Sequence, residues 1–192
     1  MRSAVKSDKF EYYWYVLCYV NDILSISHDP MRTMVGIKET FKLKDDKKVE
    51  PDIYLGVEQS KLDNADGDIY WTASSAKYCA AAVQNIEDIL KNQQQRLPSK
   101  CATPIQNGYR PEVDVSPELK ADGLQWYQEM IGMLSWAVEL GRVDILYEVA
   151  IMSTFIAMPR MGHLEQVMHI FGYLKAHNTG NSDLCLTVAI PK

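Results

Sequence analysis

The run YYWYVLCYVNDILSIS, residues 12–27, is dense in aromatic and β-branched residues and is interrupted once, by the polar pair Asn21-Asp22. Strand-forming residues on both sides of a turn pair predict a β-hairpin. Asn tolerates a positive φ and Asp hydrogen-bonds neighbouring backbone, so the pair is placed at the turn tip. In the upstream strand Tyr13, Tyr15, Leu17 and Tyr19 alternate with Trp14, Val16, Cys18 and Val20, leaving both faces apolar. Such a strand belongs inside a sheet covered on both sides. A buried hairpin with a carboxylate at its tip presents a metal ligand rigidly.

Around this hairpin the chain has 192 residues, enough for one sizeable core or parts of two subdomains. Hydrophobic residues at 47% and charged residues at 23% are ordinary for a globular protein. The net charge of -5 argues against a strongly electrostatic nucleic-acid binder, because phosphate contacts need Lys and Arg, but it leaves room for a local basic groove. Cys18, Cys79, Cys101 and Cys185 are scattered, with no metal-ligand spacing, and read as reduced thiols rather than a disulfide framework. No apolar run reaches membrane-spanning length and residues 1–9 lack a signal-peptide core, so the expectation is an intracellular protein, cytoplasmic or nuclear, with no membrane partner. About ten polar residues precede the first strand, a start that suits a fragment.

Downstream, Asp29-Pro30 is a helix-start signal, and Met34, Ile37 and Phe41 recur at helical spacing through Lys42. The charged run 44–50 reads as a solvated loop. Residues 53–62 and 69–72, joined by an Asp/Asn/Gly-rich turn, predict a second hairpin, in which Gly56 marks a bulge or tight bend. Ser74 or Ser75 can cap a helix to about Lys91, with Tyr78, Ala82, Ile86, Ile89 and Leu90 along one side. Residues 92–111 are polar, broken by Pro98, Pro104 and Gly108, and read as a flexible solvated linker; residues 112–122 continue it as an acidic linker. Tyr127, Met130, Ile131, Leu134, Ala137 and Val138 form an apolar helical stripe ended by Gly141. Further helices are predicted over 144–158, stopped by Pro159, and over 163–177, followed by a strand at 184–190. His28, His163, His169 and His177 have no companion ligand at metal spacing and read as surface or hydrogen-bonded core histidines; His163 and His169, six apart, fall outside the spacing of one helix face.

The run Tyr19-Val20-Asn21-Asp22-Ile23-Leu24 resembles the Tyr-x-Asp-Asp box of reverse transcriptases, in the Tyr-Val-Asp-Asp-Ile/Met-Leu form of copia-type retrotransposons. Further blocks in the same order resemble that family: Phe41-Lys42-Leu43-Lys44-Asp45, Tyr54-Leu55-Gly56-Val57-Glu58, Ser75-Ala76-Lys77-Tyr78, Cys101-Ala102-Thr103-Pro104-Ile105, Tyr127 with Ile131-Gly132 and Leu134, Arg142-Val143-Asp144-Ile145, and His163 with Tyr173-Leu174-Lys175. The sequence departs from the family at Asn21, where its first Asp stands, and at Val143, where it has Pro. The resemblance implies an α+β fold: the C-terminal part of a polymerase palm (two antiparallel β-hairpins plus a helix) in residues 1–73, a thumb-like helix and linker in 74–122, and a helical connection region in 123–192 leading toward a ribonuclease H. It also implies an RNA-directed DNA polymerase of a Pol polyprotein as the parent, Mg²⁺ as its cofactor and an RNA/DNA primer–template as its partner. Asp22 and the degenerate Asn21 take the catalytic and metal position, with Asp22 a weak ligand. Tyr19 and the primer-grip-like Tyr54, Leu55 and Gly56 take the nucleic-acid side.

Two-metal nucleotidyl transfer needs charged oxygen ligands, and Asn21 offers a neutral amide. The family's upstream carboxylate and fingers would precede Met1. The expectation is a polymerase fragment that is inactive alone and binds no Mg²⁺ tightly. Two alternatives stand beside it: a non-catalytic module binding nucleic acid or a polymerase partner, and a degenerate mobile-element remnant. Without the upstream strand, an apolar face around Trp14 and Val16 is expected to be exposed.

Overall fold

Strand-forming residues become strands in both regions that the alternation marks. The computed structural model describes residues 2–7, 10–20, 22–27, 29–42, 52–63, 69–178 and 186–189, so the charged run 44–50, the turn at 64–68, Asn21 and His28 lie outside the described residues. The architecture is α+β, helices with small sheets. Two compact units form, one from Met1–Leu55, Gln59–Trp71 and Val188–Lys192, the other from Gly56–Glu58 and Thr72–Thr187.

In the first unit β1 (Arg2–Ser7), β2 (Phe10–Tyr19) and β3 (Asp22–Ile26) form an antiparallel sheet in that order. The polar lead-in before the aromatic run is thus itself a strand: Arg2 pairs with Tyr15 and Ser7 with Phe10. Its composition carries little strand signal; the long neighbouring strand supplies the ladder that recruits it. The β2–β3 register runs from Tyr15↔Ile26 to Tyr19↔Asp22. Asp22, expected as part of the turn tip, is instead the first residue of β3 and pairs with Tyr19. The helix α1 (Pro30–Thr40) starts as its signal predicts: the Asp29 carboxylate accepts from the Arg32 N–H at 3.2 Å, and Pro30 opens the first turn. It packs on β3, and the Arg32 guanidinium lies 5.7 Å from the centre of the Trp14 ring.

Burial corrects the expectation for β2. Trp14 and Val16 are half-buried, whereas Tyr15, Leu17 and Tyr19 stand about half-exposed on the alternate positions. The strand is covered on one face, and the open apolar face is the opposite one from that expected. The second hairpin also differs. A short β4 (Ile53–Tyr54) turns at Leu55-Gly56 into β5 (Val57–Asp63), and β6 (Ile69–Ser74) follows, so residues 53–62 are two strands. With β7 (Leu186–Ala189) these form a second sheet of order β4-β5-β6-β7.

The second unit is helical. α2 (Ala76–Asn92), α3 (Ala121–Glu139), α4 (Leu146–Ser153) and α5 (Met161–Ala176) share one core, with Ile86, Leu90, Tyr127, Leu134, Met152, Val167 and Phe171 among its fully buried side chains. Of the stripes read from the sequence, Ala82, Ile86 and Leu90 of α2 and Tyr127, Met130, Ile131, Leu134 and Ala137 of α3 are buried, while Tyr78, Ile89 and Val138 are half-buried; Cys79 and Val83 join the buried face of α2. The helix expected over 144–158 is shorter: a 3-10 turn at Val143–Ile145 precedes α4, and residues 154–157 form turns. Tyr127 buries its hydroxyl by donating to the Met152 carbonyl at 2.7 Å, tying α3 to α4.

Residues 93–119, expected as solvated linker, form a strap packed on α5. Leu97, Cys101 and Pro111 are buried. His163, Gln166 and His169 reach out of α5 to hold its backbone: His163 Nε2 lies 3.0 Å from the Pro111 carbonyl, Gln166 Nε2 donates to the Pro104 carbonyl at 2.9 Å, and His169 Nε2 lies 2.9 Å from the Thr103 carbonyl. The Gln166 side-chain oxygen also accepts from the Gln106 N–H at 3.2 Å. The two histidines thus serve one strap, which follows the i, i+3, i+6 ridge as it winds round the helix. Farther along, the Leu119 N–H donates to the Pro159 carbonyl (3.0 Å) and the Met161 N–H to the Pro117 carbonyl (2.9 Å).

Gly172 lies where the strap crosses α5: a Cβ there would stand 2.5 Å from the Pro98 carbonyl oxygen and 2.8 Å from the Cys101 sulfur. Gly172→Ala is expected to destabilise the protein by about 1–3 kcal/mol, the cost of overpacking. Gly132→Ala, on α3 with nothing within 4 Å of its Cβ position, is expected to stabilise it by about 0.5–1 kcal/mol through helix propensity. Urea unfolding midpoints of the two variants check both signs.

Candidate functional site

A two-residue hairpin loop matches the right-handed twist of its strands when its central residues have positive φ. Val20 has φ 50° and is 88% exposed at the tip of β2–β3. A β-branched residue in this region is strained, because Cβ crowds the backbone. Tyr19 and Asp22 face each other across the ladder just below, Tyr19 half-exposed and Asp22 exposed. Of the two positions that the resemblance assigns to catalysis, the described residues include Asp22 and not Asn21.

The second group assigned to nucleic acid is the β4–β5 turn. Leu55 (φ 54°) and Gly56 (φ 86°) both lie in the left-handed region, so Tyr54-Leu55-Gly56-Val57 is a tight reversal and Gly56 is the bend rather than a bulge. A Cβ on Gly56 would meet Leu140 Cδ1 at 3.6 Å and Tyr78 Cδ2 at 3.7 Å, ordinary contacts. The backbone angle, not lack of room, is what calls for glycine there. Within the first unit Tyr54 reaches the aromatic hairpin: its hydroxyl donates to the Leu17 carbonyl at 3.3 Å. Burial pushes the Tyr54 phenol up, and Cys18 and Asp22 nearby add to the shift. Tyr54 is thereby brought beside the hairpin that carries Tyr19 and Asp22.

Asp22 is a single carboxylate at this tip, whereas a hard cation needs several charged oxygens. Among the described residues no group of three or more His, Cys, Asp or Glu is placed to hold a metal ion.

Two polar centres in the helical unit escaped the sequence reading. Arg142 and Asp144, within one of the family-like blocks, form a buried fork: Arg142 Nε donates to Asp144 Oδ1 at 2.9 Å and Nη2 to Oδ2 at 2.7 Å. Burial pushes the Asp144 carboxyl up, but the Arg142 hydrogen bonds and charge, with a hydrogen bond from Tyr173, bring it below its ordinary 3.8. Near the start of α5, Asp114 accepts from the Tyr109 hydroxyl at 2.7 Å and from the Ser116 N–H at 2.8 Å. Burial again pushes upward and is outweighed, so that carboxyl too lies below 3.8. Burial and the Asp114 hydrogen bond drive the Tyr109 phenol far up in turn. Gly162 packs against this carboxylate, with no space for a Cβ. Helical periodicity carried no signal for these centres, because Arg142 and Asp144 lie at the 3-10 turn between α3 and α4, and Tyr109 and Asp114 lie in the strap.

Compared with known proteins, the chain is 30% identical over 184 residues to the "Putative transposon Ty5-1 protein YCL074W" of Saccharomyces cerevisiae, covering 91% of this chain and 54% of that protein. It is 26% identical over 163 residues to the "Retrovirus-related Pol polyprotein from transposon RE1" of Arabidopsis thaliana, covering 83% of this chain and 10% of the polyprotein. The chain is of retrotransposon lineage. This retrotransposon-related chain spans about half the length of the first relative and about a tenth of the second. No family model and no solved structure matches it. Among its described residues no helix is long and apolar enough to cross a membrane.

Both depressed carboxyls bind their protons less readily folded than unfolded, so they stabilise the fold above the ordinary Asp value of 3.8. That stability is lost as pH falls through and below 3.8 toward their folded values. Urea midpoints are expected to drop between about pH 5 and pH 2. Asp144→Asn is expected to be less stable at neutral pH and to lose less on acidification. An equal acid loss in this variant and the parent would remove Asp144 from the account.

Proposed function

We propose that this chain is the C-terminal palm, thumb and connection part of a copia-type reverse transcriptase, and that by itself it does not polymerise. Residues 1–73 are the partial palm, 74–122 the thumb-like helix with its strap, and 123–192 the connection region. The observation that carries the reading is the two-residue tip, which presents Tyr19 and Asp22 at the end of an aromatic hairpin in the order of a Tyr-x-Asp-Asp box. The order of the later blocks and the likeness to a Pol polyprotein support it.

In this reading the parent enzyme extends a primer on an RNA template using Mg²⁺, which supplies activation of the primer oxygen and neutralises the leaving pyrophosphate. Here Asn21 takes the place of a charged ligand, and Asp22 alone does not assemble such a centre. Tyr19 and the Tyr54–Leu55–Gly56 turn are the positions that the resemblance gives to the nucleic-acid side. A second reading, a non-catalytic module that binds nucleic acid or a polymerase partner, is favoured by the half-exposed apolar positions Tyr15, Leu17 and Tyr19.

The test is a chimera in which a related active element supplies the upstream half of the palm and the fingers. Nucleotide incorporation on a primed RNA template is expected to be nearly absent with Asn21. It is expected to rise at least about a hundredfold with Asn21→Asp, the scale of restoring one group that stabilises the transition state. Equal activity of the two forms would show that position 21 is not a metal-ligand position and would sink the alignment at its centre.

A further inference from the structure

Within that reading, Tyr54 has been counted with the nucleic-acid contacts, but its hydroxyl is directed at protein backbone. It donates to the Leu17 carbonyl, three residues before Val20 on the strand that leads into the tip. Val20 holds a strained positive φ and is almost fully exposed, so its own surroundings do little to keep it there. A strained conformation persists only when neighbouring structure over-determines it. Below the tip, that structure is the ladder Leu17↔Leu24, Cys18↔Ile23, Tyr19↔Asp22. The phenol is itself carried on a braced element: Leu55 and Gly56 reverse the chain at once, the Asp52 carbonyl accepts from the Gln59 N–H at 2.7 Å, and the Asp52 carboxylate accepts from the Ile53 N–H at 2.8 Å.

We propose that Tyr54 is a positioning residue, whose hydroxyl braces β2 at Leu17 so that Tyr19 and Asp22 keep their places on either side of the strained turn. This rests on the reading of the tip as a polymerase box. It assigns Tyr54 to that box rather than to the nucleic acid. The proximity of Tyr54 to Cys18 and Asp22 agrees with this placement.

Tyr54→Phe removes the hydroxyl and keeps the ring. In the full chain, amide hydrogen exchange is expected to quicken about three- to tenfold at Asp22, Ile23 and Leu24, the scale of one lost hydrogen bond. Amides of α2 and α3 are expected to be unchanged. Unaltered exchange at the tip, or a uniform rise throughout the chain, would overturn the proposal. In the chimera carrying Asn21→Asp, Tyr54→Phe is expected to lower kcat several-fold with KM for the primed template unchanged. A raised KM with unchanged kcat would make Tyr54 a nucleic-acid contact and overturn the proposal as well. The exchange measurement needs no polymerase activity: a chimera dead in every form would sink the polymerase reading, while exchange still decides the role of Tyr54.

Discussion

A helix enclosed on most sides must satisfy every polar group it carries, and α5 carries His163, Gln166 and His169 among its buried residues. Each finds a carbonyl of the strap, at Pro111, Pro104 and Thr103. Leaving such a group unpaired in the interior costs about 1–3 kcal/mol, so the bonds work in both directions. The helix needs the strap to cover its polar ridge, and the strap, with little apolar surface of its own, needs the ridge to be held. Gly172 and Gly162 let the backbone of α5 come close enough, beneath Pro98 and Cys101 at one end and Asp114 at the other.

The helical core depends on this closure. Leu97 and Cys101 of the strap are buried, and α2, α3 and α4 each pack on α5, with Leu90, Leu134 and Met152 in the shared core. The fork between Arg142 and Asp144 lies where α3 gives way to α4, so one of the blocks that marks the retrotransposon lineage works as buried architecture. The value of such a pair lies in its completeness: either partner alone would be an uncompensated buried charge.

The sheet of the first unit is held under a different constraint. Left-handed backbone occurs at its Val20 tip and again at Leu55 in the β4–β5 turn of the other sheet, and in each a bulky residue bears the angle. Glycine relieves only one of them, at Gly56. The Val20 tip is therefore a place where the fold stores strain, a common property of functional turns. The Tyr54 hydroxyl donates to the Leu17 carbonyl, two residues before the Tyr19–Asp22 run.

Local chemistry made much of this legible in the sequence. Asp29-Pro30 announced α1 because a cap and a fixed φ act within one turn, and the stripes of α2 and α3 announced their buried faces because helical periodicity is intrinsic to the chain. The aromatic hairpin followed from strand composition. Asp22, by contrast, was expected in the turn and is a strand residue, since its pairing with Tyr19 is settled by the ladder and not by the preference of Asp for turns. Which face of β2 is open depends on where α1 lands, and nothing in the alternation of Trp14 to Tyr19 distinguishes its two apolar sides. The strap read as linker because its residues are polar and broken by proline; its order comes from side chains about 60 residues away on α5. Sequence alone determined α1, α2, α3 and the aromatic hairpin, whose causes lie within a few residues. Tertiary structure decided register, exposure and the strap, because each depends on hydrogen-bond partners and surfaces distant along the chain.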